Sequence, residues 1–120
     1  MRVYACHQFG GNMDNVESVE EKLRNLLRFE YQIFELGMTF VSPLHALGFA
    51  YPLVSWYDGM GMCLDLLATC EYMITFGDLS MSRGCMIEKE YCKEHGIPII
   101  EYELIKDGNL IEPFAIAREA

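Results

Sequence analysis

"YMITFGDLSMSRGCMIEKEYCKEHG", residues 72 to 96, is the stretch that decides the fold. Tyr72 to Gly77 is a short apolar run, and it reads as a buried strand that ends at Asp78. From Ser82 the pattern turns helical and runs to about His95, with Gly96 as the stop signal. Ser82 is a good N-cap. A helix needs a cap to begin. It does not also need Arg83, Gly84 and, about one turn further in, Glu88. Glu88 shares a face with Gly84, Cys85, Tyr91 and Cys92, while Lys89 and Lys93 face elsewhere. A glutamate on the small, apolar face is not on the surface by default.

The same alternation extends outward. Arg2 to His7 reads as a first strand, broken by Gly10 and Gly11. Asp14 and Glu17 form a capping box that opens a helix. Val16, Val19, Leu23, Leu26 and Leu27 keep the helical period toward Ile33 or Phe34, and Glu20, Glu21, Lys22, Arg24 and Arg28 mark the outer face. Gly37 is the stop. Met38 to Pro43 reads as a second strand. "LHALGFAYPLV", residues 44 to 54, fits neither period and predicts a loop or short helix near a ligand site. Ser55 and Asp58 make a second capping box, ahead of a helix to about Cys70. Ile97 to Leu104 is a fourth strand, followed by a "KDGN" turn at 106–109 and a short apolar tail.

Strands that alternate with helices through short turns predict an α/β fold, a mainly parallel sheet with helices on both faces. Ligands of such sheets lie beyond the carboxyl ends of the strands. The segments "CHQFGGN", "SPLHALGF" and "GDLSMSRG" should therefore converge on one cleft.

The bulk numbers bound the function. A chain of 120 residues fits one domain over residues 1–120 and can bury a core without staples. Apolar residues at 52% against 22% charged make it globular. A formal charge of −9 repels a polyanion, so no polymeric nucleic acid is expected, although a small phosphate needs only a local donor cluster. The cysteines Cys6, Cys63, Cys70, Cys85 and Cys92 are odd in number and lack a CxxC pair, which reads as reduced thiols in a cytoplasmic protein. No run approaches the roughly 20 apolar residues of a membrane span. The histidines and cysteines show no recognised ligand spacing, so neither a metal nor another cofactor is expected.

Each candidate site residue has an ordinary reading beside its functional one. Glu88 is either a solvated helix glutamate or a carboxylate nucleophile for a sugar carbon. Ser82 is a cap; with Arg83 and Gly84 it is also an anion site at a helix start. Phe9, Gly10 and Gly11 form a turn that a phosphate can approach, though glycine pairs are common turn residues. Asp58, Asp65 and Asp78 are second carboxylates, and Asp78 at a strand end is the strongest of them. His7 and His45 lie at or just after strand ends, within reach of the cleft, where a hydrogen-bonded loop histidine is the plain alternative. Tyr4, Phe9, Phe49 and Trp56 are candidates to stack on a base.

The order of a glycine turn after strand one, "SPLHALGF", a helix into "YMITFGD", and "SRGCMIEKEY" resembles the nucleoside 2-deoxyribosyltransferase-like superfamily over about residues 1 to 104. The resemblance is strongest to a small bacterial and phage branch. It implies a flavodoxin-like, Rossmann-like three-layer sandwich with four to five strands. It further implies a homodimer or larger homo-oligomer whose sites are completed by a neighbouring subunit. The implied activity is exchange or hydrolysis of the N-glycosidic bond of a nucleoside or its 5'-monophosphate. Gly84 and Glu88 match the superfamily's glycine and nucleophile, and Ser82 matches a phosphate-binding serine. Met86 stands where a second glycine is usual, and Cys63 stands where an aspartate is usual. Those two departures favour an alternative reading, a protein that binds a nucleotide or nucleotide-derived signal without cleaving it.

Overall fold

The segment 72–96 folds as strand, turn and helix, and the rest of the molecule is arranged around it. In chain order the elements are β1 (Arg2–Ala5), α1 (Met13–Phe29), β2 (Thr39–Val41), α2 (Pro43–Leu47), a 3-10 turn (Gly48–Ala50), α3 (Trp56–Leu67), β3 (Tyr72–Phe76), α4 (Arg83–His95), β4 (Ile99–Tyr102) and β5 (Ala117–Glu119). The computed structural model describes residues 1–29, 37–51 and 53–103, and the backbone of 117–119. The expected continuation of the first helix to Ile33 or Phe34 and the turn at 106–109 lie outside the described residues.

The strand order is β2-β1-β3-β4-β5. β2, β1, β3 and β4 run parallel, and β5 pairs antiparallel with β4. This is the flavodoxin-like order, in which the chain crosses over between β1 and β3 and leaves a crevice at their carboxyl ends.

The two-residue period of the strands sorts side chains between the two faces of the sheet. Val3 and Ala5 of β1, with Ile74 and Phe76 of β3, pack against Val19 and Leu26 of α1. Tyr4 and Cys6, with Met73 and Ile99, pack on the other face against Leu67 of α3 and Cys85 and Cys92 of α4. Full burial of a Leu, Ile or Met side chain contributes about 1.5–3 kcal/mol, so these two layers carry the stability. Cys6 stands in the second layer, one residue past β1, so its thiol reaches the same layer as Tyr4.

Three local expectations need correction. The cap of α1 is Asn12, whose Oδ1 accepts from the Asp14 N–H at 2.9 Å, because the helix already starts at Met13. The second strand is only Thr39–Val41, since Pro43 sits in the first turn of α2. Lys22 is not on an outer face. It is 5% exposed and its ammonium lies 5.7 Å from the centre of the Phe76 ring. The caps at Ser55 and Gly96 are as expected: Ser55 Oγ accepts from Asp58 N–H at 3.0 Å, and Gly96 closes α4 with a left-handed φ of 69°. Among the described residues, no helix is long and apolar enough to cross a membrane.

Candidate active site

Glu88 is the centre of the site. Its place on α4 turns the carboxylate inward, and it is 4% exposed. The Tyr4 hydroxyl donates to Oε2, and the Cys6 thiol donates to Oε1 at 3.6 Å. Both donors come from the same face of the first strand and its end. Burial pushes the Glu88 pKa up to about 7, against the hydrogen bonds from Tyr4 and Cys6, which pull it down. Burial and the neighbouring carboxylate hold the Tyr4 hydroxyl far above its usual value, so it stays a donor. Cys6 is also pushed up, by its contact with Cys85, by burial and by Glu88, while that same Cys6 contact and Ser82 pull Cys85 down. Of the two thiols, Cys85 is the more readily ionised.

A cleft of about 430 Å³ opens beside Glu88. Phe9, Tyr51, Trp56 and Met60 supply apolar walls, and His7, Ser82 and Glu88 supply polar groups. The volume and the lining suit a small aromatic ligand with a few polar handles. Among the described residues that line it, Glu88 is the one carboxylate. A second cleft of about 370 Å³ lies on the other side of His7, Ser82 and Cys85, which line both. Lys22, Asn15, Ser18 and Asp78 face the second cleft.

His7 joins α1 to this region. Its Nδ1 lies 2.8 Å from the Gln8 carbonyl, which can only accept, so Nδ1 carries the proton. Nε2 therefore accepts from the Lys22 ammonium at 2.8 Å. Burial lowers the pKa of both groups, and the Lys22 charge lowers that of His7 further. Lys22 is a buried cation whose close polar partner is a neutral ring.

The sequence candidates divide between those at the clefts and those held elsewhere. His7, Phe9, Gly10, Ser82, Gly84 and Glu88 line the first cleft. Asp78 lies in the second cleft, exposed, with Oδ1 accepting from the Ser80 N–H at 2.9 Å. Ser82 Oγ accepts from the Cys85 N–H at 3.3 Å and so caps α4 as expected. Arg83 is stacked 4.4 Å from the Trp56 ring and lines neither cleft. His45 lies outside both, held between Ser42 Oγ and Glu20 Oε1 at 2.7 Å each. Gly11 sits under Tyr51, and a Cβ there would collide with that ring. Gly84 lets α4 approach α3: a Cβ would meet Met60 Sδ at 3.2 Å. Tyr4 is not a stacking residue, because it is fully buried and its hydroxyl is committed to Glu88.

Sequence reasoning missed three participants. Tyr4 as the carboxylate's donor, Cys6 as its second donor and Lys22 as a buried cation all depend on contacts between distant segments. The signal for Tyr4 and Cys6 was present in the alternation of β1 and the residue after it, since both lie opposite Val3 and Ala5. Cys63 lines the cleft beside Tyr4, at the place where the resemblance expects an aspartate.

No protein-family model matches this sequence, and no curated protein matches it. Among solved structures the chain is similar to a 2-deoxyribosyltransferase from the psychrotolerant bacterium Bacillus psychrosaccharolyticus. The TM-score is 0.54 at 17% identity, over 93% of this chain and 86% of that one. The chain has the fold of that transferase.

Proposed function

We propose that this protein acts on the N-glycosidic bond of a nucleoside or a nucleoside 5'-monophosphate, by hydrolysis or by transfer, with Glu88 as nucleophile. The observation that carries this reading is the buried Glu88 carboxylate. It is held by Tyr4 and Cys6, and it lines an aromatic-walled cleft large enough for a nucleoside. The fold shared with a deoxyribosyltransferase supports it. In the first step a Glu88 oxygen bonds to the sugar C1', and the C1'–N bond breaks with its electron pair leaving on the base. A proton from water or a nearby acid neutralises the departing base. Water or a second base then takes the sugar and frees Glu88. Tyr4 orients the carboxylate so that one oxygen is ready to attack.

The phosphate of a monophosphate would sit at Ser82, where the two clefts meet. Lys22 stands behind that point and supplies the cation, held by the neutral His7 ring, while Arg83 is drawn away by Trp56. Phe9 and Trp56 flank the base. Tyr51, Leu53, Phe49 and Tyr57 leave an exposed apolar patch beside the cleft, with Phe49 at 75% and Leu53 at 82%. A second copy of the chain covers that patch in this reading, giving a homodimer. The chain is one domain over residues 1–120.

A second reading has its own support. With Glu88 as the one carboxylate among the described cleft residues, and Cys63 in place of an aspartate, no second acid is at hand to orient the sugar or protonate the base. The protein would then bind a nucleotide without cleaving it. Incubation with a panel of nucleosides and monophosphates decides the matter. Base release seen by chromatography, and lost in Glu88→Ala, supports the enzyme. Calorimetric binding with no base released supports the binder, and neither binding nor release overturns both.

A further inference from the structure

Three ligand-type groups meet at one point in the floor between the two clefts. The Cys6 and Cys85 sulfurs and a Glu88 carboxylate oxygen all lie within 4.8 Å of one another, and all three residues are buried. Their spacing along the chain is irregular, so sequence motifs do not reveal them. A tetrahedral zinc ion with bonds of about 2.3 Å to sulfur and about 2.0 Å to oxygen holds its ligand atoms about 3.5–3.8 Å apart. The Cys6 Sγ to Glu88 Oε1 distance is 3.6 Å. We propose that Cys6, Cys85 and Glu88 form a binding site for a thiophilic divalent cation of the zinc class.

The surroundings fit the ion. Two thiolates and a carboxylate around a divalent cation leave one negative charge, and the Lys22 ammonium acts on Cys85 from the second cleft. The Tyr4 hydroxyl donates to Glu88 Oε2, which fixes the carboxylate and leaves Oε1 for the metal. Ser82 Oγ accepts from the Cys85 N–H at 3.3 Å, which fixes the backbone that carries this sulfur. Cys85 and Glu88 line the first cleft, and Cys6 and Cys85 line the second, so the clefts give an ion an entry path. Binding exchanges thiol protons for the metal, and those protons pass to solvent. The proposal does not depend on the glycosidic reading. Where that reading holds, the ion occupies the attacking carboxylate and zinc inhibits.

The test titrates purified apo-protein with zinc by calorimetry and with cobalt(II) by absorption. The expected result is one ion per chain, proton release into the buffer, and thiolate-to-cobalt charge-transfer bands with tetrahedral d–d bands. Cys6→Ser and Cys85→Ser should each remove the charge-transfer intensity of one thiolate. Glu88→Gln should weaken zinc at least about tenfold, the lower end of what perturbing a metal site costs. Cys92→Ser, on the same helix but off the cluster, should bind as the unmutated chain does. Circular dichroism confirms that each variant is folded. Should the Cys6 and Cys85 variants fail to fold, the unmutated protein decides alone. Absence of thiolate-to-cobalt bands overturns the site, as does undiminished binding in a folded Cys6→Ser, Cys85→Ser double variant.

Discussion

The molecule buries two opposite charges and does not pair them. Glu88 on α4 takes its hydrogen bonds from Tyr4 and Cys6, and Lys22 on α1 gives its own to a neutral His7. No ion pair within 4.0 Å joins the two among the described residues. Elsewhere the protein pairs charges in the ordinary way, as Lys89 does with Glu101 at 2.9 Å. A buried charge without a countercharge is expensive, and the cost shows in the raised pKa of Glu88 and the lowered pKa of Lys22. Core packing needs neither group. Both face clefts, and in the proposed function ligands are their missing partners, a sugar carbon for one and an anion for the other.

The largest effect should come from breaking the acidic member. In the enzyme reading Glu88→Gln keeps the shape and the Tyr4 contact and removes the nucleophile. Base release measured by chromatography should fall at least about 10³-fold, with ligand affinity little changed. Release at a rate near that of the unmutated chain would move the nucleophile elsewhere, with Asp78 in the second cleft as the next residue to replace.

The same substitution probes stability. Glu88 titrates at about 7 in the folded protein against an ordinary 4.5, so the native state holds its proton more tightly than the unfolded chain. The stabilisation from this group is complete below about pH 4.5 and is lost as pH rises through about 7. At pH 8 to 9 Glu88→Gln should therefore be more stable than the unmutated chain by about 3 kcal/mol, the difference vanishing near pH 4. Urea unfolding across that range, in chelator, measures it. A difference independent of pH would mean that the carboxylate is not buried as described.

The two charges were unequally legible in the sequence. Glu88 declared itself because its helix neighbours on one face are small or apolar, and helical periodicity reports that directly. Lys22 did not. It lies in a run of charged residues, Glu20, Glu21, Lys22 and Arg24, where the period reports an outer face. Its burial follows from the approach of His7 and Phe76, which belong to other segments. The mainly parallel sheet was legible from alternation, whereas the strand order was not, because it depends on which strands pair across the chain. The cap at Asn12 was masked by an equally good capping pattern two residues later. The metal-type cluster was hidden because its members are brought together by the β1–α4 packing and not by spacing.

The basic member is tested by Lys22→Met, which keeps the stem's packing and removes the charge. If an anion is the missing partner, monophosphate affinity should drop about tenfold, the loss of one charge-assisted hydrogen bond, while affinity for the parent nucleoside stays put. The fold should not suffer, because replacing an uncompensated buried ammonium by an apolar side chain of similar length is neutral or stabilising. Equal losses for nucleoside and monophosphate in calorimetry would show that Lys22 only shapes the cleft.

The smallest effect concerns Ser82, which stands between the two charges and lines both clefts. Ser55 is its control, since it lines the first cleft but not the second, where Lys22 lies. Each serine caps a helix by accepting a backbone N–H, at 3.3 Å for Ser82 and 3.0 Å for Ser55. The longer bond is the weaker one, and it leaves the Ser82 hydroxyl freer for a ligand. Ser55→Ala should cost about 1 kcal/mol of stability, a usual cap loss, and Ser82→Ala about half that. Ligand binding should reverse the order. Ser82→Ala should weaken a monophosphate several-fold relative to its nucleoside, about 1 kcal/mol for one hydrogen bond, whereas Ser55→Ala should leave that ratio unchanged. Thermal unfolding and calorimetry on the two variants measure both quantities. If Ser55→Ala and Ser82→Ala change the monophosphate-to-nucleoside ratio alike, the anion does not sit at the start of α4, and Lys22 must answer to some other partner.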